Sequence, residues 1–270
     1  MEKRGCLPDP DQLSMVTGII LIAYAVSQYL VVPVNTIGLQ LPGLYIPIDF
    51  QFKNLVSITV AILAAAGMDW IISSHPEKQA GGGMQHWLLP ALSAWVIGIP
   101  LYSIPAGIAW WGVFIFGGLL MLVVITSEFI TVDPNDNRST LAGIGLSALS
   151  LVLFLILATS IRASGVRLYI MATAIGLGSV LVCLRVFYLR SGYQWRYAWS
   201  IGISLLMVQI ATGFHYLPLS SVQFGLLLVG LLYGLLAISE SILQGQFARR
   251  DLIEPGIVIL LTAIMALLLG

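Results

Sequence analysis

Long apolar runs alternate with short polar segments along almost the entire chain. The hydrocarbon core of a bilayer is about 30 Å thick, and a helix needs roughly 20 apolar residues to cross it. The pattern therefore predicts an all-α polytopic transmembrane bundle that occupies residues 1–270 as one integral membrane domain, with no soluble domain. Nine runs approach the required length: Met15–Val34, Asn54–Ile72, Trp87–Tyr102, Gly107–Glu128, Thr140–Ile161, Arg167–Leu189, Arg196–His215, Ser221–Leu243 and Pro255–Gly270.

Nine spans is the favoured count, and eight is the alternative. The third run is short and contains Pro90 and Pro100, so its helix starts late or is kinked. The ninth run is also short, and it ends with the chain. Either of these two runs could fail to cross the bilayer.

Composition excludes several classes of protein. Hydrophobic residues make up 59% of the chain and charged residues 9%, whereas a soluble domain is about 45–50% apolar and about 25% charged. The 12 Lys and Arg balance the 12 Asp and Glu, and a nucleic-acid binder needs a basic surface. A soluble enzyme, a disordered chain and a nucleic-acid-binding protein are all excluded, and the first expected partner is the lipid bilayer.

The basic residues predict an orientation, because Lys and Arg accumulate on the cytoplasmic side of a membrane. With the N-terminus inside, three basic residues fall outside, namely Lys53, Arg162 and Arg167. Nine fall inside: Lys3, Arg4, Lys78, Arg138, Arg185, Arg190, Arg196, Arg249 and Arg250. We expect a cytoplasmic N-terminus and, with nine spans, an external C-terminus.

Two loops and one sequence match add to the predicted organisation. Residues 37–52 alternate on both sides of Pro42-Gly43, which indicates a hairpin with a type II turn. The segment from Ser73 to His86 contains three consecutive glycines and is expected to be flexible. Residues 118–130 and 230–242 share six identities in 13 positions. The match favours a parallel 4+4 repeat plus one helix, and coincidence between two Leu-rich runs is the alternative.

Four charged residues lie near the ends of even-numbered spans, all on the predicted cytoplasmic side: Asp69, Glu128, Arg185 and Glu240. Charges inside a membrane are costly and therefore mark candidate functional sites. One interpretation is a polar vestibule or ion-coupled gate in which Arg185 pairs with one of the acids. The other is interfacial snorkelling with salt bridges at the bundle ends. Their matched depth makes Asp69 and Arg185 the hypothesised buried pair.

Two glutamines complete the candidate intramembrane site, and two histidines are separate candidates beside the cytoplasmic loop. Gln28 and Gln209 fall inside spans, where each amide needs a hydrogen-bonding partner. They are either interhelical fasteners or ligand contacts. His75 and His86 flank the cytoplasmic loop, and His215 lies at the outer end of the seventh run. No third or fourth metal ligand stands at a workable spacing, and the histidines do not face each other at one depth as a bis-His haem requires. We therefore expect neither a metal nor a cofactor.

Motifs of the common membrane-associated activities are absent from the sequence. There is no G-x-x-x-x-G-K-[ST] for a nucleotide-driven pump, and no H-E-x-x-H or G-x-S-x-G for a hydrolase. Small-residue pairs such as Gly230-x-x-x-Gly234 indicate close helix approach rather than activity. No catalytic residue is assigned, and an enzyme is the less favoured class.

Three short strings resemble a bacterial family of polytopic membrane proteins known only as a domain of unknown function. They are Gly67-Met-Asp69-Trp70 followed by Ser74-His75-Pro76, then His86-Trp87-Leu-Leu-Pro90, and Leu41-Pro42-Gly43. The resemblance covers mainly the first 100 residues. It implies a bacterial inner (plasma) membrane and no assigned activity, and it favours functional roles for Asp69, His75 and His86.

Three functional hypotheses follow from these observations. A small-molecule or ion permease is the first, because of the repeat and the four charges on one side. A non-catalytic subunit or scaffold of a larger membrane assembly is the alternative, with membrane protein partners or a second copy of the chain. A lipid-active membrane enzyme is the third. A permease predicts a polar cavity that reaches Asp69, whereas a subunit predicts a filled bundle with an apolar outer groove.

Overall fold

A computed structural model describes residues 8–29, 35–41, 44–50, 52–75, 83–133, 138–190, 194–245 and 252–269. These residues form a helical bundle with one β-hairpin and a short 3₁₀ turn, Met84–His86. The elements are α1 (Pro10–Tyr29), β1 (Asn35–Leu41), β2 (Leu44–Phe50), α2 (Phe52–Ser73), α3 (Leu88–Ser103), α4 (Ile108–Ile130), α5 (Ser139–Ala163), α6 (Leu168–Arg190), α7 (Tyr197–His215), α8 (Ser221–Leu243) and α9 (Ile253–Leu268).

The helices fall on the nine predicted runs, but only part of the predicted span count is supported. Within the described residues, seven helices are long and apolar enough to cross a membrane. The other two, α3 and α9, have 16 residues each. A helix of that length rises about 24 Å, which is less than the hydrocarbon thickness. The prediction of a helical bundle is confirmed, and nine membrane spans stays a prediction.

The short helix α3 lies at the centre of the bundle and contacts α1, α2, α4, α5 and α6. Its buried residues are almost all apolar, and Leu92, Ala94 and Val96 are at most 1% exposed. Pro90 stands in the first turn of α3, where the missing N–H would have no intrahelical acceptor. At the other end, Ile104 N–H donates to Pro100 O at 3.0 Å. Pro100 stands inside α3 and removes the N–H that Val96 O would accept, but the helix continues through it to Ser103.

The helices are arranged as two four-helix units. Successive helices contact each other within α1–α4 and within α5–α8, and the first helix of each unit also contacts the fourth. A duplicated unit would show this contact order, but any up-and-down four-helix unit shows it too. The 4+4 repeat therefore stays a prediction. Helix α9 packs on α8.

The first interhelical segment is a β-hairpin, as the alternating pattern predicts. β1 pairs with β2 in antiparallel register from Asn35↔Phe50 to Leu41↔Leu44. Residues 42–43, where the type II turn was expected, lie outside the described residues, as do residues 76–82 of the glycine-rich loop.

Close approach of α9 to α8 requires glycine at two positions of α8. A Cβ on Gly230 would overlap Thr262 Oγ1 and lie 2.9 Å from Thr262 Cβ, and a Cβ on Gly234 would meet Ile259 Cδ1 at 2.5 Å. The predicted small-residue pair therefore brings α8 and α9 together.

Gly230→Ala is expected to destabilise the α8–α9 contact, because the new methyl group has no space. Overpacking of this kind costs about 1–3 kcal/mol, which should lower Tm in detergent by several degrees. Gly145→Ala on α5 is the control, since a Cβ there meets nothing within 4 Å. Equal Tm values for the two variants would contradict the structural role of Gly230.

Candidate functional site

The most completely buried charge in the described residues is the carboxylate of Glu128, which is 0% exposed. Arg185 Nε donates to Glu128 Oε1 at 2.9 Å, and Arg185 Nη2 donates to Oε2. His86 Nδ1 lies 2.8 Å from Oε2. His86 and Arg185 are themselves 4% and 1% exposed. These three residues form what we call the Glu128 cluster.

Helical periodicity places the two charges of the cluster inside the bundle. Met121, Val124, Ile125 and Glu128 recur at the spacing of one helix face and are all buried on α4. On α6, Gly178, Val182 and Arg185 do the same. The charged residue lies on the same face of its helix as these apolar residues, so burial of that face buries the charge as well.

His86 comes from a different kind of element. It ends the 3₁₀ turn Met84–His86, immediately before α3 begins. Its backbone N–H donates to Gly83 O at 3.0 Å, so the turn holds the ring near the end of α4. The cluster therefore joins α4, α6 and the start of α3.

A fourth residue, Thr131, completes the polar contacts. Thr131 is 2% exposed, and its Oγ1 donates to Glu128 O at 2.9 Å and accepts from Arg185 Nη2 at 3.3 Å. The last carbonyl groups of a helix have no intrahelical partner. Thr131 thus donates to a carbonyl at the end of α4 and accepts from the Nη2 group of Arg185.

The electrostatics of the cluster are those of a closed ion pair. Arginine and carboxylate form charge-assisted hydrogen bonds, and a two-point contact fixes their geometry. Burying both charges has a large desolvation cost, so removing one partner is much more harmful than having neither. Arg185 Nη1 is buried and makes no hydrogen bond, which leaves one donor of the pair unused.

Other predicted residues lie around the same end of the bundle. The ring of His75, a 7% exposed residue, stands 4.6 Å from the ring of Phe129, which follows Glu128. A Cβ on Gly83 would lie 3.0 Å from Asp69 Oδ1 and 3.5 Å from Trp87 Nε1, so Asp69 lies beside the 3₁₀ turn. The structure therefore brings the three residues favoured by the family resemblance near the cluster.

A second ion pair joins α6 to α8. Arg190 Nη1 lies 3.2 Å from Glu240 Oε2, and these side chains are 34% and 20% exposed. Helix α6 thus supplies both arginines that pair with the glutamates of α4 and α8. The interpretation of Glu240 as part of a salt bridge at the end of the bundle agrees with this pair.

Two predictions are wrong in detail. Arg185 pairs with Glu128 rather than with Asp69, because the buried faces of α4 and α6 bring the side chains of Glu128 and Arg185 together. Glu128 does not snorkel, since it has no exposed surface. His75 and His86 lie on either side of residues 76–82, which are outside the described residues, and both are buried. Sequence depth alone located the charges correctly along each helix and could not say which helices are neighbours.

The two glutamines differ from expectation. Gln28 on α1 is half-buried, and Gln209 on α7 is exposed on the outer surface of the bundle. An amide inside a span was expected to face a neighbouring helix. Gln209 instead lies opposite the face that α7 buries, so the core prediction for this residue is wrong.

Sequence reasoning missed a polar contact at the opposite end of the bundle. Arg162, at the end of α5, lies with Nη1 3.1 Å from His215 Nδ1 and donates to His215 O and to Leu217 O, both at 3.2 Å. The guanidinium therefore caps the C-terminal carbonyls of α7. The feature of the sequence that could have indicated this contact is Arg162 itself, because it is one of only three basic residues predicted to lie outside.

Among the described residues, no group of three or more His, Cys, Asp or Glu could hold a metal ion. The Glu128 cluster contributes one carboxylate and one imidazole, and the carboxylate is already neutralised by arginine. Chemically, the arrangement holds charges in place, and only the imidazole of His86 and the unused Nη1 group remain for other chemistry.

The fold and the cluster define the class: a helical protein in whose described part seven helices are long and apolar enough to cross a membrane, with a buried His–Glu–Arg cluster at one end of the bundle. A family described as "Protein of unknown function (DUF5656)" matches residues 32–269. The chain belongs to this DUF5656 family. The likeness to an uncharacterised family is thus confirmed, and it extends far beyond the first 100 residues. No curated protein and no solved structure matches the chain.

Removing the charge of Glu128 should destabilise the fold far more than removing that of Glu240. Glu128→Gln leaves a buried guanidinium without a counter-charge, at a cost of about 3–5 kcal/mol. Glu240→Gln, the matched control, breaks a partly exposed pair worth about 0–1 kcal/mol. The free energy of unfolding in mixed micelles is the measurement. Similar losses for both variants would contradict the burial argument.

Proposed function

We propose that this protein is a non-catalytic subunit or scaffold of a larger membrane assembly, and that a partner's apolar helix lies in an outer groove between α1 and α2. The groove is the observation that carries the proposal. It has a volume of about 510 Å³, and α1 and α2 lie side by side along it.

Apolar side chains line this groove. Ile19, Ile22 and Val26 of α1 are 48%, 64% and 51% exposed, and Leu55 and Leu63 of α2 are 48% and 40% exposed. Exposed apolar surface is unremarkable where it meets lipid, so the groove is distinguished by its concave shape. The side chains of a neighbouring helix can pack into such a concave surface within the membrane.

The polar groups in the groove are already satisfied within their own helices. Ser27 Oγ donates to Tyr24 O at 2.8 Å, and Thr59 Oγ1 donates to Leu55 O at 2.9 Å. They offer little to a polar solute. An apolar helix loses nothing by covering them, and this favours a protein partner over a hydrophilic substrate.

The interior of the bundle favours the same proposal. Large apolar residues such as Phe154, Met68 and Phe224 are 0% exposed, and the buried charges of Glu128 and Arg185 neutralise each other. A filled core with a closed ion pair suits a rigid support better than a passage that opens and closes.

A photoreactive amino acid at Ile22 or Leu63 is expected to crosslink one discrete protein in native membranes. The same group at Leu119 on α4, which is 57% exposed, is the control and should label lipid. Ile19→Trp, at a groove position that is 48% exposed, should fill the groove, remove the crosslink and leave Tm unchanged. Labelling by lipid alone at the groove positions would contradict the proposal.

A permease for small anions is the second candidate, and two unused donors favour it. Arg185 Nη1 and Trp87 Nε1 are buried and make no hydrogen bond. Both are available to donate a hydrogen bond to an anion or to another acceptor. The third sequence hypothesis, a lipid-active enzyme, gains no comparable observation in the described residues.

The permease candidate predicts that proteoliposomes loaded with chloride release it faster than protein-free vesicles once valinomycin sets the potential. Trp87→Phe removes only the indole N–H and should slow that release, whereas Trp111→Phe, at an exposed position on α4, should not. Release equal to that of empty vesicles would contradict this candidate and leave the scaffold proposal intact.

We further propose that the end of the bundle with the Glu128 cluster faces the cytoplasm of a bacterial cell, with the N-terminus on the same side. The excess of basic residues in the segments at that end supports this orientation.

A further inference from the structure

Gln209 lies on the outside of the bundle, in the middle of an otherwise apolar helix face. Helix α7 buries Ser200, Ile203, Ser204, Met207 and Ala211. At about 100° per residue, Gln209 points about 180° away from the centre of that buried face. It is exposed, and no hydrogen bond is formed by its amide in the described part of the chain.

This amide is expected to meet hydrocarbon when α7 spans a membrane. Leu205 and Leu206, which precede it on the exposed side, are 60% and 46% exposed. A glutamine amide carries two N–H donors and one acceptor oxygen, and none of them finds a partner in lipid. A second protein surface that supplies a donor and an acceptor at this depth would satisfy the amide.

The same face lets another helix come close. Ala198, Gly202 and Gly213 are exposed, and they lie within about 40° of Gln209 around the helix axis. A Cβ added at Gly202 or Gly213 would meet nothing within 4 Å. Small residues at such spacing allow two backbones to approach, so that a polar side chain between them reaches across.

A second copy of this chain supplies the required donor and acceptor at the right depth, because it carries the same glutamine. Copies inserted in one orientation have their Gln209 side chains at the same depth, and a two-fold axis along the membrane normal places them opposite each other. The amide is self-complementary, because the carbonyl oxygen of each copy can accept from the NH₂ group of the other. A different partner would need its own polar group at that level.

We propose that α7 forms the interface of a parallel two-fold homodimer in which the two Gln209 side chains hydrogen-bond to each other. This inference goes beyond the scaffold proposal and does not depend on it. The groove lies between α1 and α2, whereas α7 packs on α6 and α8.

Disulfide crosslinking in membranes tests the geometry. In a full-length background with Cys6→Ser and Cys183→Ala, oxidation of Ala198→Cys or Gly213→Cys should give a covalent dimer. Leu119→Cys on the exposed face of α4 is the matched control and should stay monomeric. Crosslinking only through α4, or a disulfide from α7 to a different protein, would overturn the homodimer.

The contribution of the amide is tested by fluorescence energy transfer between labelled copies in liposomes at varied protein-to-lipid ratio. Gln209→Leu should weaken dimerisation about tenfold, and Gln209→Asn, which keeps the amide, should weaken it by about threefold or less. Gln28→Leu on α1 should have no effect. A Tm for Gln209→Leu at or above that of the parent would show that the monomer still folds. An unchanged dimer in Gln209→Leu would overturn the proposal, as would a monomer at every ratio.

Discussion

A carboxylate that has lost all contact with water must be neutralised where it stands, and this constraint organises one end of the bundle. Glu128 has no exposed surface, so Arg185 of α6 and His86 before α3 are held against it. The depth and rotation of three elements are thereby linked. Because either charge alone would be costly in the core, the end of α4, the buried face of α6 and the position of the 3₁₀ turn depend on one another through these side chains.

Polar side chains on the outer surface differ in whether their own helix supplies a hydrogen-bonding partner. In the groove between α1 and α2, the hydroxyl groups of Ser27 and Thr59 donate to backbone carbonyls of their own helices. A partner at this surface therefore needs to offer only apolar contacts. On α7 the amide of Gln209 has no such local solution. The first surface is therefore complementary to any well-shaped apolar helix, and the second to a partner with a polar group at one depth.

Prediction from the sequence was most reliable for the helices and the hairpin. Both depend on local periodicity, as in the pairing of Asn35 with Phe50. It was less reliable for the site. Asp69 and Arg185 share a depth, but so do Glu128 and Arg185, and depth cannot decide between them. The orientation of Gln209 was also beyond reach, because a uniformly apolar helix gives little indication of which face is packed.

Amino-acid composition and the lengths of the apolar runs determined on their own that this chain is a bundle of helices suited to a membrane, since backbone hydrogen bonds have no other solution in hydrocarbon. They also identified the few polar side chains that must matter there. Tertiary structure alone decided which of these side chains meet. It paired Glu128 with Arg185, placed His86 between helices and left Gln209 outside, because these outcomes depend on how helices are rotated against each other, and the shapes of many small contacts set that rotation.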